Sequence, residues 1–328
     1  MVTTVKNFIN KKNLQKKLFT PGPASLLYEN ITSIEPCFGR GDYQYEKIEN
    51  NVLKRLKKLT SHQNIARMQG SASFALEIMI NNFIYGKLLI IKTGIYSDRL
   101  LSMSLASKTN FKNIKKIDYI DYQNIEEISK KYDWVMACPV ETSIGLKIPI
   151  LKLNILKKRC KANLALDATA SIGLEKDHYY ADVLGYSSCK GLFGLTGGAF
   201  VAFNNSPNNK VNQFNLNIFN HLEKKMTGPY HSICSLNDVL KNYNDFKYAV
   251  VANKKFFLKK MQNYLNYKIK EQPYLCTLIN RKIIQKDKKT ILYQSRADIS
   301  GSVVCHLGEV HLKRKAKGEI INSIKVIE

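Results

Sequence analysis

Two charged side chains, Asp167 and Lys190, stand 23 positions apart at the ends of neighbouring apolar segments, 164–167 and 181–186. Desolvation lowers the pKa of a lysine and makes its amine nucleophilic, while a buried carboxylate needs a cationic partner. A pyridoxal phosphate (PLP) enzyme uses such a pair, because its lysine forms the Schiff base and its carboxylate pairs with the pyridinium nitrogen. Taken singly, each residue also fits a simpler interpretation: a solvated strand-end lysine and a helix-capping aspartate.

Three more segments, in the order that the chemistry requires, precede this pair. The turn at Ser71, Ala72 and Ser73 follows an apolar segment and opens a helix, so its N–H groups and hydroxyls could hold a phosphate. Tyr96 follows the next apolar run and could stack on a planar cofactor, and Thr142 follows another and could donate to a phenolic oxygen. Helix capping, surface packing and a turn are the simpler interpretations of these sites. Their ordered occurrence with Asp167 and Lys190 favours the PLP interpretation.

Apolar runs that alternate with helical patterns predict an α/β fold with a mainly parallel central sheet covered on both faces. In such sheets the ligand lies beyond the carboxyl ends of the strands, where the residues above fall. The predicted strands are 88–94, 134–138, 164–167, 181–186 and 198–203, with helices over 44–60, about 70–83 and 151–160.

The chain is predicted to divide into an N-terminal arm (1–17), a large PLP-binding domain (18–235) and a small C-terminal α+β domain (236–328). In the last of these, a Lys-rich helical stretch over about 236–266 precedes short strands at 275–279, 290–293 and 302–308 and a terminal helix.

Composition limits the possible partners. The net charge of +25 comes from 51 basic residues, of which only 8 are Arg, and the lysines are scattered over predicted helices and loops. Nucleic-acid surfaces favour Arg, so we expect no nucleic-acid partner, although the positive field should attract anionic substrates. No apolar run could span a bilayer and no secretory signal is evident, which predicts a cytoplasmic protein without a membrane role. Seven Cys without a Cys-x-x-Cys pair predict reduced thiols and no metal site.

Seven motifs extend the pattern over most of the chain: LFTPGP (18–23), GRGD (39–42), QGSASFALE (69–77), ETSIG (141–145), DATAS (167–171), SSCKG (187–191) and TGPYHSI (227–233). Through these motifs the chain resembles the class V, fold-type I PLP-dependent aminotransferases, and within them the 2-aminoethylphosphonate–pyruvate transaminase branch. The resemblance implies a homodimer with shared active sites, a role in phosphonate metabolism, and transfer of an amino group from a small amine to a 2-oxo acid such as pyruvate.

The resemblance also implies a role for each matching residue. Lys190 would be the catalytic Schiff-base lysine and Asp167 the pyridinium partner, with Tyr96 stacking on one face of the ring and Thr169 on the other. The remaining cofactor residues would be Ser71, Ala72, Ser73, Thr142 and Cys189, together with Tyr230 and Ser232 from the partner chain. The substrate would contact Thr20, Gly22, Arg40 and His306.

Three departures from the family pattern concern the site. In the phosphate turn, Ala72 and Ser73 replace the commoner Gly and Thr or His. Cys189 stands where the family usually has Gln or Asn, and His306 in 302–308 (SVVCHLG) aligns with the arginine that grips the substrate's acid group. Three alternatives therefore stay open: a serine/alanine-type aminotransferase, another PLP reaction such as that of a lyase or desulfurase, and a degenerate relative that only binds a ligand. A desulfurase would need a cysteine on a mobile loop, whereas Cys305 lies in an apolar strand.

Overall fold

The computed structural model describes residues 4–34, 41–312 and 318–327. Its helices are α1 Val5–Gln15, α2 Tyr43–Thr60, α3 Ala72–Phe83, α4 Ile95–Phe111, α5 Ile150–Cys160, α6 Ile218–Leu222, α7 Tyr230–Lys241, α8 Tyr243–Lys260, α9 Leu307–Leu312 and α10 Glu319–Ser323. Its strands are β1 Lys17–Phe19, β2 Asn64–Gln69, β3 Gly86–Lys92, β4 Ile114–Asp121, β5 Trp134–Ala137, β6 Val140–Glu141, β7 Leu146–Lys147, β8 Asn163–Asp167, β9 Val183–Ser187, β10 Gly198–Phe203, β11 Cys276–Ile279, β12 Lys282–Gln285, β13 Thr290–Leu292, β14 Ser302–Cys305 and β15 Ile324–Ile327. None of the helices in these ranges is both long and apolar enough to cross a membrane.

A seven-stranded sheet forms the centre of the molecule, in the order β2-β10-β9-β8-β5-β3-β4. The pairs from β9 to β4 are parallel, while β10 runs antiparallel to both of its neighbours. Successive residues of β3 pack into separate hydrophobic clusters on the two faces of the sheet. Leu88 and Ile90 pack on one face, and Leu89 and Ile91 on the other. Burial on both faces explains why the strands read as continuous apolar runs, and the predicted α/β fold with a mainly parallel sheet is confirmed.

Two elements of this region, α4 and β4, were not predicted. The residues that α4 buries are mostly serines, Ser97, Ser104 and Ser107, so the helix lacks an apolar stripe. Strand β4 lies at the edge of the sheet, and half of its residues are exposed, which its charged residues allow.

The C-terminal part differs in detail from the prediction. The expected long helix is two helices, α7 and α8, which meet at Asn242, and the expected strand 302–308 ends at Cys305 because α9 begins at Leu307. The chain closes with β15, paired antiparallel to β12, rather than with a helix. Strand β1 pairs in parallel with β13, so the N-terminal segment adds a strand to this part of the molecule. The division at residues 17 and 235 stays a prediction.

Candidate active site

A cavity of about 320 Å³ opens at the carboxyl ends of β8 and β9, beside the first turns of α3 and α4. Eight of the residues singled out from the sequence line its wall: Ser71, Ala72, Ser73, Tyr96, Asp167, Thr169, Cys189 and Lys190. Since parallel strands end at one edge of a sheet, residues far apart in the chain are brought together there.

Lys190 has an unusual backbone. Its φ of 61° lies in the left-handed region, which few residues other than glycine adopt and which clusters at functional sites. Gly22 packs directly against it, since a Cβ at Gly22 would lie 2.8 Å from both Cα and Cγ of Lys190. The Lys190 Nζ lies 5.2 Å from the centroid of the Tyr96 ring. The lysine is therefore fixed at its backbone, and its amine lies in the cavity.

Asp167 ends β8 with a side chain that is only 3% exposed. Its Oδ1 accepts from the Thr169 N–H at 3.1 Å, and its Oδ2 accepts from Nη2 of Arg99 at 3.0 Å. A buried carboxylate needs a cationic partner, and here Arg99 supplies the charge.

Tyr96 is held in the first turn of α4 by the buried carboxylate of Glu141, whose Oε2 accepts from the Tyr96 N–H at 3.0 Å. Burial raises the pKa of Glu141, although the hydroxyl and N–H of Ser143 and the N–H of Tyr96 donate to it and oppose that shift. A Cβ at Gly94 would lie 3.1 Å from the Glu141 side chain, and φ at Gly94 is +151°, so a glycine suits this close approach. Glu141 thus ties the β6 segment to the helix that presents the aromatic ring.

The start of α3 has the features of an anion site. Its first N–H groups have no acceptor within the helix, and its N-cap Ser71 makes no side-chain capping bond, so that hydroxyl remains available. The Ser73 hydroxyl accepts from Nη1 of Arg99 at 3.3 Å. A phosphate at this helix end would meet donors and the positive end of the helix dipole.

Two threonine hydroxyls beside the cavity lack partners among the described residues. Thr169 lies in the wall, whereas Thr142 is not a wall residue: it is fully buried, two positions after the wall residue Val140. Neither Oγ1 makes a hydrogen bond, although buried hydroxyls normally do. Such orphaned groups fit a polar, planar ligand, and with the α3 turn, Asp167 and Lys190 they match the functional groups of PLP.

Other residues expected at the site lie elsewhere. Thr20 is not in the cavity wall, and its hydroxyl donates to the Pro23 carbonyl at 3.0 Å. The Ser232 hydroxyl donates to the carbonyl of the wall residue Thr196 at 2.8 Å, within the same chain. The Tyr230 ring lies 4.6 Å from the Tyr45 ring, centroid to centroid. Arg40 lies outside the described residues.

The structure does not bring His306 to the cavity. The imidazole is fully buried, with Nε2 2.9 Å from the Thr277 hydroxyl and the ring against Phe257. Burial lowers its pKa, with Glu309 acting in the opposite direction. The expectation that His306 grips the substrate is thus not met, because the chain turns from β14 into α9 at this residue and directs the ring into the core.

Sequence reasoning missed two arginines of the cavity wall, Arg99 and Arg296. Arg99 lies one turn after Tyr96 in a helix that was not predicted, and a three-residue spacing on that helix could have shown that both share a face. Arg296 lies between β13 and β14. The hydroxyl of its neighbour Ser295 donates to the Ser143 carbonyl, which fastens this loop beside the cavity.

In sequence and in fold the chain is similar to known aminotransferases. No family model matches it. It is similar to a 2-aminoethylphosphonate–pyruvate transaminase of Klebsiella pneumoniae, with 24% identity over 250 residues that cover 68% of each protein. It is also similar to an uncharacterized aminotransferase of Helicobacter pylori, with 22% identity over 220 residues. That match covers 64% of this chain but only 59% of the relative.

The fold is that of solved aminotransferases. An aspartate aminotransferase of subgroup IV from Thermus thermophilus superposes with a TM-score of 0.76 at 16% identity, covering 89% of this chain and 93% of the other. These matches confirm the resemblance to fold-type I aminotransferases that the motifs indicated.

Proposed function

We propose that this chain is a PLP-dependent transaminase that moves an amino group from a small anionic amine to a 2-oxo acid. The observation that carries the proposal is the convergence of Lys190, Asp167, Tyr96 and the turn at the start of α3 on one cavity. The names of the relatives support the same reaction.

The residues of the cavity would divide the work as follows. PLP, when bound, supplies an electron sink for the bonds of the substrate's amine-bearing carbon. Lys190 Nζ would hold the cofactor and would accept and return the proton of that carbon. Asp167 keeps the ring nitrogen protonated, and Tyr96 and Thr169 confine the ring between them. Ser71, Ala72 and Ser73 hold the phosphate, Thr142 donates to the phenolic oxygen, and Cys189 lines the wall next to Lys190.

The lysine assignment is tested by covalent labelling. Protein incubated with PLP and then reduced with borohydride should carry the cofactor on the peptide that contains residue 190, as detected by mass spectrometry. Lys190→Ala should abolish the label and keep the fold. Lys92→Ala is the matched control, because Lys92 pairs with Asp98 at 3.1 Å and does not line the cavity. A label that persists in Lys190→Ala would assign the chemistry to another lysine.

The substrate is proposed to carry an acid group that Arg296 binds. Arg296 is an exposed residue of the cavity wall, and a guanidinium offers carboxylates and phosphonates a permanent bidentate donor. The relative from Klebsiella pneumoniae makes 2-aminoethylphosphonate the first donor to test and pyruvate the first acceptor. Arg40 stays a second candidate for this contact.

A donor screen with 2-aminoethylphosphonate, alanine and serine tests the substrate class. Hydrogen bonds to charged groups contribute about 1.5–3 kcal/mol, so Arg296→Gln should lower kcat/KM for the best acidic donor by roughly 10- to 150-fold. Arg281→Gln is the control, since Arg281 lies over the Tyr264 ring, outside the cavity. Equal kcat/KM values for the two variants would show that Arg296 does not bind the substrate.

We further propose a homodimer with shared sites, in which Tyr230 and Ser232 reach the partner's cofactor phosphate. Ser232 already bonds to Thr196 within its own chain, so Tyr230 is the sharper test. Mixing inactive Lys190→Ala with an inactive Tyr230 variant should restore activity if subunits exchange. Exchange without recovery would refute the shared site.

The other PLP reaction considered gains no support. Burial raises the pKa of Cys305 well above its usual range, which does not suit a desulfurase nucleophile.

A further inference from the structure

Arg99 makes three contacts in the cavity, and the proposed reaction gives this residue no role. Its guanidinium donates from Nη2 to the Asp167 Oδ2 at 3.0 Å and from Nη1 to the Ser73 hydroxyl at 3.3 Å, and its Cζ lies 5.0 Å from the centroid of the Tyr96 ring. The arginine thus touches the three places that would hold the ring nitrogen, the phosphate and the ring face of the cofactor.

Asp167 has no other cation near enough to form an ion pair among the described residues. Its remaining oxygen, Oδ1, accepts only a backbone N–H, from Thr169. The Asp167 side chain is 3% exposed, whereas that of Arg99 is 32% exposed. A buried carboxylate that loses its cation is strongly destabilising, whereas a side chain that is already about one third exposed can move its charged end into water at a smaller cost. The pair is therefore asymmetric: Asp167 needs a cation, and Arg99 can leave.

We infer that Arg99 holds the place of the cofactor's ring nitrogen, so that guanidinium and pyridinium are successive partners of Asp167. Arg99 is then a positioning residue that keeps the carboxylate charged and oriented until the cofactor arrives. The cofactor must displace Arg99 from Asp167. Part of the cofactor's binding free energy is therefore offset by the loss of the Arg99–Asp167 ion pair. This inference rests on the proposed function.

Replacing Arg99 by Gln separates the two states of the site. Cofactor-free Arg99→Gln should melt several degrees below the wild type, because Asp167 loses its cation. Saturating pyridoxamine phosphate, which binds without a covalent link, should bring both proteins to the same melting temperature. By linkage the variant should then bind this probe about tenfold more tightly than the wild type, because the probe no longer has to displace the guanidinium.

Three further variants keep the test specific. Arg99→Lys retains a positive charge and should keep most of the cofactor-free stability. Asp167→Asn removes the buried charge, so Arg99→Gln in that background should no longer lower the melting temperature. Lys92→Gln removes one cation from the exposed pair with Asp98 and gives the background effect of losing a surface ion pair.

Three results would overturn the inference. Equal destabilisation of Arg99→Gln with and without pyridoxamine phosphate would make the ion pair a fixed part of the fold. Weaker binding by Arg99→Gln than by the wild type would mean that Arg99 holds the cofactor itself. A wild type that neither binds nor is stabilised by pyridoxamine phosphate would instead refute the proposed function, and this inference with it.

Discussion

Substituting Gly22 by Ala should destabilise the protein through Lys190. The added Cβ would lie 2.8 Å from Cα and Cγ of Lys190, and Gly22 has φ of +121°. A positive φ costs an L-residue about 1–2 kcal/mol, and a forced contact in a packed region adds about 1–3 kcal/mol. We therefore expect the free energy of unfolding to fall by about 2–5 kcal/mol. This is a large part of the about 5–15 kcal/mol by which a folded protein is usually stable.

Gly41→Ala is the matched control for this experiment. Gly41 also has a positive φ, +89°, but no atom of the described residues lies within 4 Å of the position of its Cβ, so the backbone cost of about 1–2 kcal/mol is the one expected there. Urea unfolding of the cofactor-free proteins, followed both by circular dichroism and by the fluorescence of the single tryptophan, Trp134, measures the difference. If Gly22→Ala is no less stable than Gly41→Ala, the packing of Gly22 against Lys190 does not exist as described.

Three further results are expected. His306→Gln should leave the ranking of amino donors by kcat/KM unchanged, because the ring is buried away from the cavity; a changed ranking would place it at the substrate. Burial lowers the pKa of His178 to about 3, so the unfolded chain takes up a proton near pH 6.5 that the folded chain refuses, and stability should fall as pH drops from about 6.5 toward 3, by up to about 1.4 kcal/mol per pH unit. Urea unfolding at pH 7 and pH 5 tests this, and His178→Asn should flatten the slope; an identical slope in that variant would assign the effect to other groups. Arg67→Met should lower the free energy of unfolding by about 1–3 kcal/mol, because the fully buried Glu49 loses a charged donor but keeps Lys224 and the Tyr45 hydroxyl as partners. Lys116→Met, which breaks an exposed pair, should lower it by less than about 1 kcal/mol; similar losses in urea unfolding would mean that burial does not decide the outcome.

The parts of the site that could be predicted from sequence are those that local signals specify. Asp167 and Lys190 follow apolar strands, and the turn before α3 combines small residues with the start of a helix. Once the sheet was predicted, the rule that parallel strands end at one edge placed these residues together. No tertiary detail was needed for them.

Residues that depend on packing between distant segments could not be predicted. Arg99 was missed with α4, whose buried face is polar. Arg296 lies in the cavity wall on a loop whose Ser295 hydroxyl donates to the Ser143 carbonyl, 152 positions earlier in the chain. His306 was assigned to the substrate by its place in a motif, but the turn between β14 and α9 decides where its ring points.

The cavity also explains how a chain so rich in lysine could use a carbonyl cofactor. Any unprotonated amine near PLP could condense with its aldehyde, yet Lys190 is the one lysine in the cavity wall among the described residues. The permanently protonated side chains in the wall are Arg99 and Arg296, two of the 8 arginines of the chain. A guanidinium stays protonated and binds anions without acting as a nucleophile. Arginine in the wall and lysine on the surface would thus leave a single amine to react, and this selection follows from the chemistry of the two side chains rather than from the net charge of the protein.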